Sequence, residues 1–224
     1  MLTLALIILP LLAALLILLP GKMPTRMLAL INSLVILGIT VYAVVLFTDE
    51  NTTSLSYTVS WIKNLGISFA IGMDGISLLL VALTNFLLPL IILSSFRNEY
   101  PNQKLFYALI FLMQAALNGV FTALDGFLFY IFWELALIPI YFICMLWGGT
   151  DRIRITLKFF IYTLAGSLLM LVGLIYVYLH TPGEHTFAIE NLYNANLTDV
   201  EQGWLFWLFF LAFAVKIPIF PFST

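Results

Sequence analysis

Residues 76–96 read ISLLLVALTNFLLPLIILSSF, an unbroken run without a charged side chain. A helix rises 1.5 Å per residue, so about 20 such residues cross the roughly 30 Å hydrocarbon core of a bilayer. A barrel strand would need only about 10 residues, with apolar and polar positions in alternation. This run does not alternate, so it predicts a transmembrane helix.

The rest of the chain has a matching composition. Of 224 residues, 63% are hydrophobic and 9% are charged, with a mean hydropathy of +1.10, whereas a soluble domain carries about 25% charged residues. Such a chain cannot cover its own surface with polar groups. We therefore predict an all-α polytopic membrane protein with about seven transmembrane helices, the last of them incomplete and broken at mid-membrane. The predicted spans are 2–19, 27–47, 76–96, 105–124, 127–147, 155–179 and 204 onward.

The loop charges predict an orientation. Alternate loops hold seven of the nine lysines and arginines, and the loops between them hold only Lys63. Positive residues favour the cytoplasmic side, so we expect an N-terminus outside, in a bacterial inner membrane. The seven are Lys22, Arg26, Arg97, Lys104, Arg152, Arg154 and Lys158, and the opposite loops carry Asp49, Glu50, Asp74, Asp125, Glu184, Glu190, Asp199 and Glu201.

Residues 54–72 have the period of strands. Apolar and polar side chains alternate from Leu55 to Trp61, and they alternate again from Ile67 to Ile71, as expected of half-buried strands. The pattern predicts a β-hairpin on the outer surface of the helices. A disordered loop is the alternative.

Redox chemistry is not expected in this chain. Cys144 is its only cysteine, and His180 and His185 are its only histidines and lie outside the apolar runs. An iron–sulfur cluster needs about four ligands, and a bis-histidine haem needs two on facing helices. We find no glycine-rich phosphate loop and no zinc-ligand spacing, and we expect neither a nucleic acid nor a soluble small-molecule substrate as a partner.

Once the charges at loops and loop edges are set aside, two charges remain deep inside predicted spans, Glu134 and Lys216. Glu134 follows Asp125 by nine residues and Lys216 follows Trp204 by twelve, which places them roughly 13 and 18 Å into the membrane from the same side. An ionised side chain at a helix centre costs roughly 2.5–3.5 kcal/mol. A proton relay explains both charges. A structural ion pair between helices, or a Lys216 side chain that reaches the inner surface, is the alternative.

Prolines lie close to both charges. Because proline has no backbone N–H, Pro139 leaves the carbonyl of Leu135 without a helical donor. Pro218 and Pro221 similarly free the carbonyls of Ala214 and Ile217, which lie on either side of Lys216. Broken helices at this depth occur where protein or water meets the freed groups. These prolines are the predicted supporting helix breaks of the relay.

Five stretches together carry a resemblance to a known family. They are MDGIS at 73–77, GFLFYIFWELALIPIYF at 126–142, LWGG at 146–149, KFFIY at 158–162 and FAVKIPIFPF at 213–222. They resemble the antiporter-like membrane chains of the proton-pumping NADH:quinone oxidoreductase, respiratory complex I, and most of all its chain M (chain 4). The resemblance covers essentially the whole chain.

The resemblance implies a function and an organisation. Glu134 and Lys216 fall on the family's proton path, while flavin, iron–sulfur clusters and quinone are expected in partner subunits. Helices 1–3 with the hairpin would form an N-terminal unit, residues 1–103, and residues 104–224 the first antiporter-like helix repeat. The family has about twice as many helices, so we expect an N-terminal half. Its partners would be lipid and the other membrane subunits of the complex.

Two other functions remain open at this point. The first is a subunit of a multisubunit cation/proton antiporter without a dehydrogenase, and the second is a membrane scaffold that transports nothing. Within the leading hypothesis, Lys216 carries the proton and Glu134 acts as its electrostatic switch.

Overall fold

Helices occupy all seven predicted places in a computed structural model, which describes residues 1–21, 23–47, 55–217 and 219–221. The helices are α1 (Leu2–Leu18), α2 (Thr25–Leu46), α3 (Gly75–Ser94), α4 (Gln103–Thr122), α5 (Gly126–Leu135), α6 (Leu137–Trp147), α7 (Arg152–Leu179), α8 (Ile189–Leu192) and α9 (Asp199–Lys216). The strands are β1 (Tyr57–Ile62) and β2 (Ile67–Ile71). The predicted positions Lys22, Asp49, Glu50, Ser54 and Pro218 lie outside the described residues.

Five segments of the described chain are long and apolar enough to cross a membrane. They are α2, α3 with its following turn, α4, α5 joined to α6, and α7. The chain is thus an integral membrane protein with a predominantly helical fold. The predicted count of seven spans stays a prediction, because α1 has only 17 residues and the 18 residues of α9 include Asp199, Glu201 and Lys216.

The core of the fold surrounds α4, the most buried of the long helices. This helix packs against α1, α2, α3, α5 and α6. Tyr107 and Phe111 on α4 are fully buried, together with Leu6 on α1 and Ile92 on α3. The second half of the chain packs differently, since α9 lies along α7 and α5 contacts both α4 and α7.

A network of uncharged polar side chains lies inside the bundle of α1 to α4. The amide of Asn85 donates to the Thr40 hydroxyl at 2.8 Å, and its oxygen accepts from Gln114 and Asn118 at 2.7 and 3.2 Å. Asn118 also donates to the carbonyl of Leu6 at 2.8 Å. That carbonyl is the one deprived of its helical donor by Pro10. The amide therefore replaces a backbone hydrogen bond that the proline removes.

The positively charged loops meet at one end of the bundle. Arg26 donates to the carbonyls of Phe96 and Asn98, and Lys104 donates to the carbonyl of Leu19. The indole of Trp147 donates to the carbonyl of Pro101 at 2.9 Å. The loops that the charge pattern assigns to one side of the membrane are thus neighbours in the fold.

The predicted hairpin is present at the opposite end, as an antiparallel pair with a bulge between Ser60 and Ile62. Its burial differs from the prediction, because Val59 and Trp61 on β1 are 47% and 52% exposed. The inner strand is β2, which is joined through the Ala70 carbonyl to the N–H of Leu124 at 2.8 Å. Among the residues that the structure describes, β2 therefore has two neighbours, and β1 has β2 alone.

Candidate ion-relay site between the fifth and ninth helices

Glu134 lies in the last turn of α5, one residue before that helix ends. The chain turns at Ala136, and α6 begins at Leu137. Pro139 is buried in the first turn of α6, where a missing N–H is tolerated. The described structure thus interrupts the fifth predicted span immediately after Glu134, whose side chain is half-buried.

Lys216 is the last residue of α9 and is also half-buried. A cation is favoured at this helix end by the macrodipole. The carbonyl of Ala214, which cannot bond to Pro218, accepts the N–H of Ile219 at 2.9 Å. Pro221 is exposed beyond the helix end.

The ammonium of Lys216 contacts Trp133 twice. Its Nζ donates to the Trp133 carbonyl at 3.0 Å and lies 3.7 Å from the centroid of the Trp133 ring. The last four carbonyls of a helix lack their usual donors, and Trp133 is among the last four residues of α5. The end of α5 therefore provides an acceptor for the lysine.

Glu134 and Lys216 are close but do not form an ion pair. Among the residues that the structure describes, no carboxylate oxygen lies within 4.0 Å of the Lys216 nitrogen. Glu134 nevertheless lies within electrostatic range of the Lys216 ammonium and of the Tyr130 hydroxyl. That hydroxyl also interacts with Ser167 on α7. The site thus brings together the two predicted relay residues and two polar groups that the sequence analysis did not single out.

Small residues on α7 allow α9 to approach closely. A methyl group added to Gly166 would lie 3.3 Å from Val215, and one added to Gly173 would lie 3.1 Å from Phe209. Trp133 is only 9% exposed and packs in a cluster with Met170, Leu174 and Ala212. The Trp133 ring, which contacts the Lys216 ammonium, is therefore held in place by α7 and α9 together.

The start of α5 is anchored by Asp125, which the sequence analysis treated as a loop charge. The structure buries it completely, and its carboxylate accepts the backbone N–H groups of Ser68, Phe127 and Leu128, each at 3.0 Å. Burial raises the pKa of the Asp125 carboxyl, although these three hydrogen bonds oppose the change. Asp125 thus joins β2 to the helix that carries Glu134.

Within the described residues, no three His, Cys, Asp or Glu side chains gather as a metal site requires. The side chains at the site itself are an acid, an amine, a phenol and a hydroxyl. Such groups bind and release protons or small cations.

Comparison with known proteins places these features in a family. The family described as "NADH:quinone oxidoreductase/Mrp antiporter, TM" matches residues 123–224, which include both α5 and α9. The chain is similar to subunit M of the F(420)H(2) dehydrogenase of Methanosarcina mazei, with 43% identity over 203 residues that cover 87% of this chain and 41% of the relative. It is similar to subunit M of the NADH-quinone oxidoreductase of Rickettsia bellii, with 35% identity over 203 residues, 89% of this chain and 40% of the relative.

A solved structure contains a chain with a similar fold. Respiratory complex I from Thermus thermophilus contains a chain that superposes with a TM-score of 0.83 at 33% identity, over 99% of this chain and 45% of that one. The chain spans about two fifths of the length of the curated relatives it matches. Residues 123–224 thus match the family of NADH:quinone oxidoreductase and Mrp antiporter membrane subunits, and the longer alignments are to dehydrogenase subunits named M.

Proposed function

We propose that the parent protein is a proton-translocating membrane subunit of an NADH:quinone oxidoreductase or a related dehydrogenase, with Glu134 and Lys216 in its proton path. One observation carries the proposal. Two ionisable side chains from separate helices come together at interrupted helix ends, and neither neutralises the other through an ion pair. A charge that is not permanently paired in the membrane is expensive and is typical of a functional group.

The relatives support a role apart from electron transfer. One belongs to an F(420)H(2) dehydrogenase and another to an NADH-quinone oxidoreductase, two complexes with different electron donors. A subunit that both complexes share is suited to a step other than the oxidation of the electron donor, which differs between them. Flavin, iron–sulfur clusters and quinone would then be bound by partner chains. The antiporter-subunit alternative has less support, because these relatives are named as parts of dehydrogenases.

The test is proton translocation by the parent complex in proteoliposomes. Glu134→Gln keeps the shape of the side chain and removes its titration, and Lys216→Arg keeps the positive charge but cannot release a proton at ordinary pH. We expect both complexes to assemble and to translocate protons at least about a hundred-fold more slowly, the lower end of the range typical of losing a proton-transfer group.

Lys63→Arg and Glu190→Gln are matched controls, because both residues are exposed outside the spans. Normal proton stoichiometry in Glu134→Gln and Lys216→Arg would contradict the proposed function. A complex that fails to assemble in both variants would leave only the scaffold role.

We also propose that the N-terminus lies outside. Arg26 and Lys104, which lie at the same end of the bundle, support this orientation. Single cysteines at Thr25, Asn102 and Thr150, introduced after Cys144 is replaced, should be shielded from an impermeant thiol reagent added outside. A cysteine at Asn194 should react. Labelling at position 150 from outside would reverse the orientation.

A further inference from the structure

The ring of Trp133 faces the ammonium of Lys216 in a way that hydrophobic packing alone does not require. The nitrogen lies 3.7 Å from the ring centroid, well within the roughly 6 Å at which a cation is attracted by the negative face of an indole. The same nitrogen donates to the carbonyl of the same residue. Trp133 therefore contacts the charge with both its side chain and its backbone.

The ring is held in this orientation from three sides. It meets Phe213 on α9 edge-on, with centroids 5.1 Å apart, and Phe129 on α5 with centroids 5.6 Å apart. Met170 on α7 lies in the same buried cluster. A ring packed in this way keeps its face toward Lys216 at little further entropic cost.

The position is also adjacent to Glu134. Trp133 directly precedes it in the last turn of α5, and the flexible four-carbon stem of a lysine, with three rotatable donors, can redirect its ammonium from one partner to the other. Two neighbouring residues thus offer the ammonium two different partners, an uncharged one and a charged one.

We propose that Trp133 is a positioning residue that holds the protonated Lys216 ammonium whenever it is not paired with Glu134. The inference rests on the proposed function of the site and adds a second resting position to it. A relay with only Glu134 available would leave the lysine without a partner in the membrane each time the pair opened. Trp133 stabilises that open state, which lets the pair separate without expelling the charge to the surface.

Graded fluorination of this tryptophan tests the proposal in the parent complex. Mono-, di- and trifluorotryptophan introduced at position 133 withdraw electron density from the ring face, while the shape and the backbone carbonyl stay almost unchanged. We expect coupled proton translocation to fall stepwise along the series, by roughly two- to ten-fold in total, with the amount of assembled complex unchanged.

Trp147 provides the matched control. It lies at the far end of α6, and its indole N–H donates to the carbonyl of Pro101. The same fluorinated series at position 147 should leave translocation unchanged. Trp133→Phe should retain more activity than Trp133→Leu, because only the first keeps an aromatic face.

The outcomes separate the two proposals. A flat response at position 133, or equal losses at positions 133 and 147, would overturn the role of Trp133 while leaving the relay intact, provided that Glu134→Gln and Lys216→Arg abolish translocation. Normal translocation in those two variants would overturn the proposed function itself, whatever the fluorinated series shows.

Discussion

Two places in this protein meet the same structural need with different donors. In the first, Pro10 deprives the Leu6 carbonyl of its helical partner, and the amide of Asn118 donates to it at 2.8 Å. In the second, α5 is interrupted at Ala136, and the ammonium of Lys216 donates to the Trp133 carbonyl at 3.0 Å. Both sites put a side-chain donor on a backbone acceptor within an apolar helix.

The two donors differ in chemistry and in setting. An amide neither loses nor gains a proton at ordinary pH, whereas an ammonium can release one. The amide site is also closed, since Thr40, Asn85, Gln114 and Asn118 are all fully buried and bond to one another. Lys216 and Glu134 are only half-buried and remain unpaired with each other. We infer that the first site holds helices together and that the second can change its protonation and its hydrogen-bond partners.

Substitutions in the amide site are expected to lower the stability of the protein more than substitutions at the second site. Asn85→Leu removes the residue at which three hydrogen bonds meet and leaves buried donors without partners. We expect the free energy of unfolding of the parent protein to fall by about 2–4 kcal/mol. The measurement is the unfolding of the purified protein in lipid, together with translocation per assembled complex, which should stay normal.

Asn32→Leu is the control for that substitution. Within the described part of the chain, Asn32 bonds only to the carbonyl of Leu28 one turn earlier on its own helix, so its loss should change stability by less than about 0.5 kcal/mol. An Asn85→Leu protein as stable as the Asn32→Leu protein would mean that the amide network does not hold the helices together.

A single glycine, Gly119, lies at the contact between the two sites. A methyl group added to Gly119, the neighbour of Asn118, would lie 2.3 Å from the ring of Phe132, the neighbour of Trp133. Gly119→Ala should therefore push α5 from α4 and cost about 1–3 kcal/mol of stability. It should also lower translocation, because the displaced Phe132 precedes the residue that binds Lys216.

Gly38→Ala makes the same change at a position where no atom of the described residues outside its own helix backbone lies within 4 Å of the added methyl group. There the better helix propensity of alanine should raise stability by up to about 1 kcal/mol. The shorter side chain of Phe132→Leu should restore part of the loss in a Gly119→Ala background. If both alanine variants behave alike, the two sites are not coupled through this contact.

The parts of the fold that depend on length and hydropathy were predictable from sequence. The helices around 27–47 and 76–96 follow from their unbroken apolar runs. Such a run crosses lipid as a helix, because only a helix satisfies all its backbone hydrogen bonds within the segment. The alternation from Tyr57 to Ile71 predicted the two strands, although it could not show that Val59 and Trp61 would remain exposed. That outcome depends on which strand lies against the loop after α4.

The site was predictable only in part. Glu134 and Lys216 could be found because charges are rare in apolar runs, but nothing in the sequence distinguishes Trp133 from the other aromatic residues on α5. Its role depends on the rotation of α5 relative to α9, which packing against Met170 and Phe213 decides. Asp125 was placed with the loop charges because burial by a distant strand leaves no local signal.

Removing the charge at the second site should affect stability much less than opening the amide network. Lys216→Met keeps the length of the side chain and removes a half-buried ammonium that has no ion-pair partner in the described structure. Because replacing such charges by apolar groups is often neutral, we expect the free energy of unfolding to stay within about 1 kcal/mol of the parent value. Translocation should nevertheless be lost. A destabilisation as large as that of Asn85→Leu would give Lys216 a structural role.

The smallest expected effect concerns the other end of α9, where Glu201 precedes the apolar part of the helix. The Glu201 carboxylate accepts from the N–H and hydroxyl of Thr198 at 2.7 and 2.6 Å and from the hydroxyl of Tyr176 on α7. These hydrogen bonds, those from Thr198 first, lower the pKa of Glu201 to about 2. A lowered pKa means that the carboxylate stabilises the folded state above its ordinary value of 4.5 and that this contribution is lost as the pH falls toward about 2.

The start of α9 should therefore keep its protection against hydrogen exchange from neutral pH to about 4.5 and lose it progressively below that value. The readout is exchange of the backbone amides of residues 198–202 in the lipid-embedded parent protein, relative to their intrinsic rates at each pH. Glu201→Gln cannot titrate and should give a protection that does not change over the same range. Because this carboxylate is exposed to solvent, its effect should stay within the first turn of α9 and leave the contact between Lys216 and Trp133 unchanged. A protection profile that falls between pH 7 and 5, or one that persists unchanged at pH 2, would contradict the role of Glu201 as the charged cap of this helix.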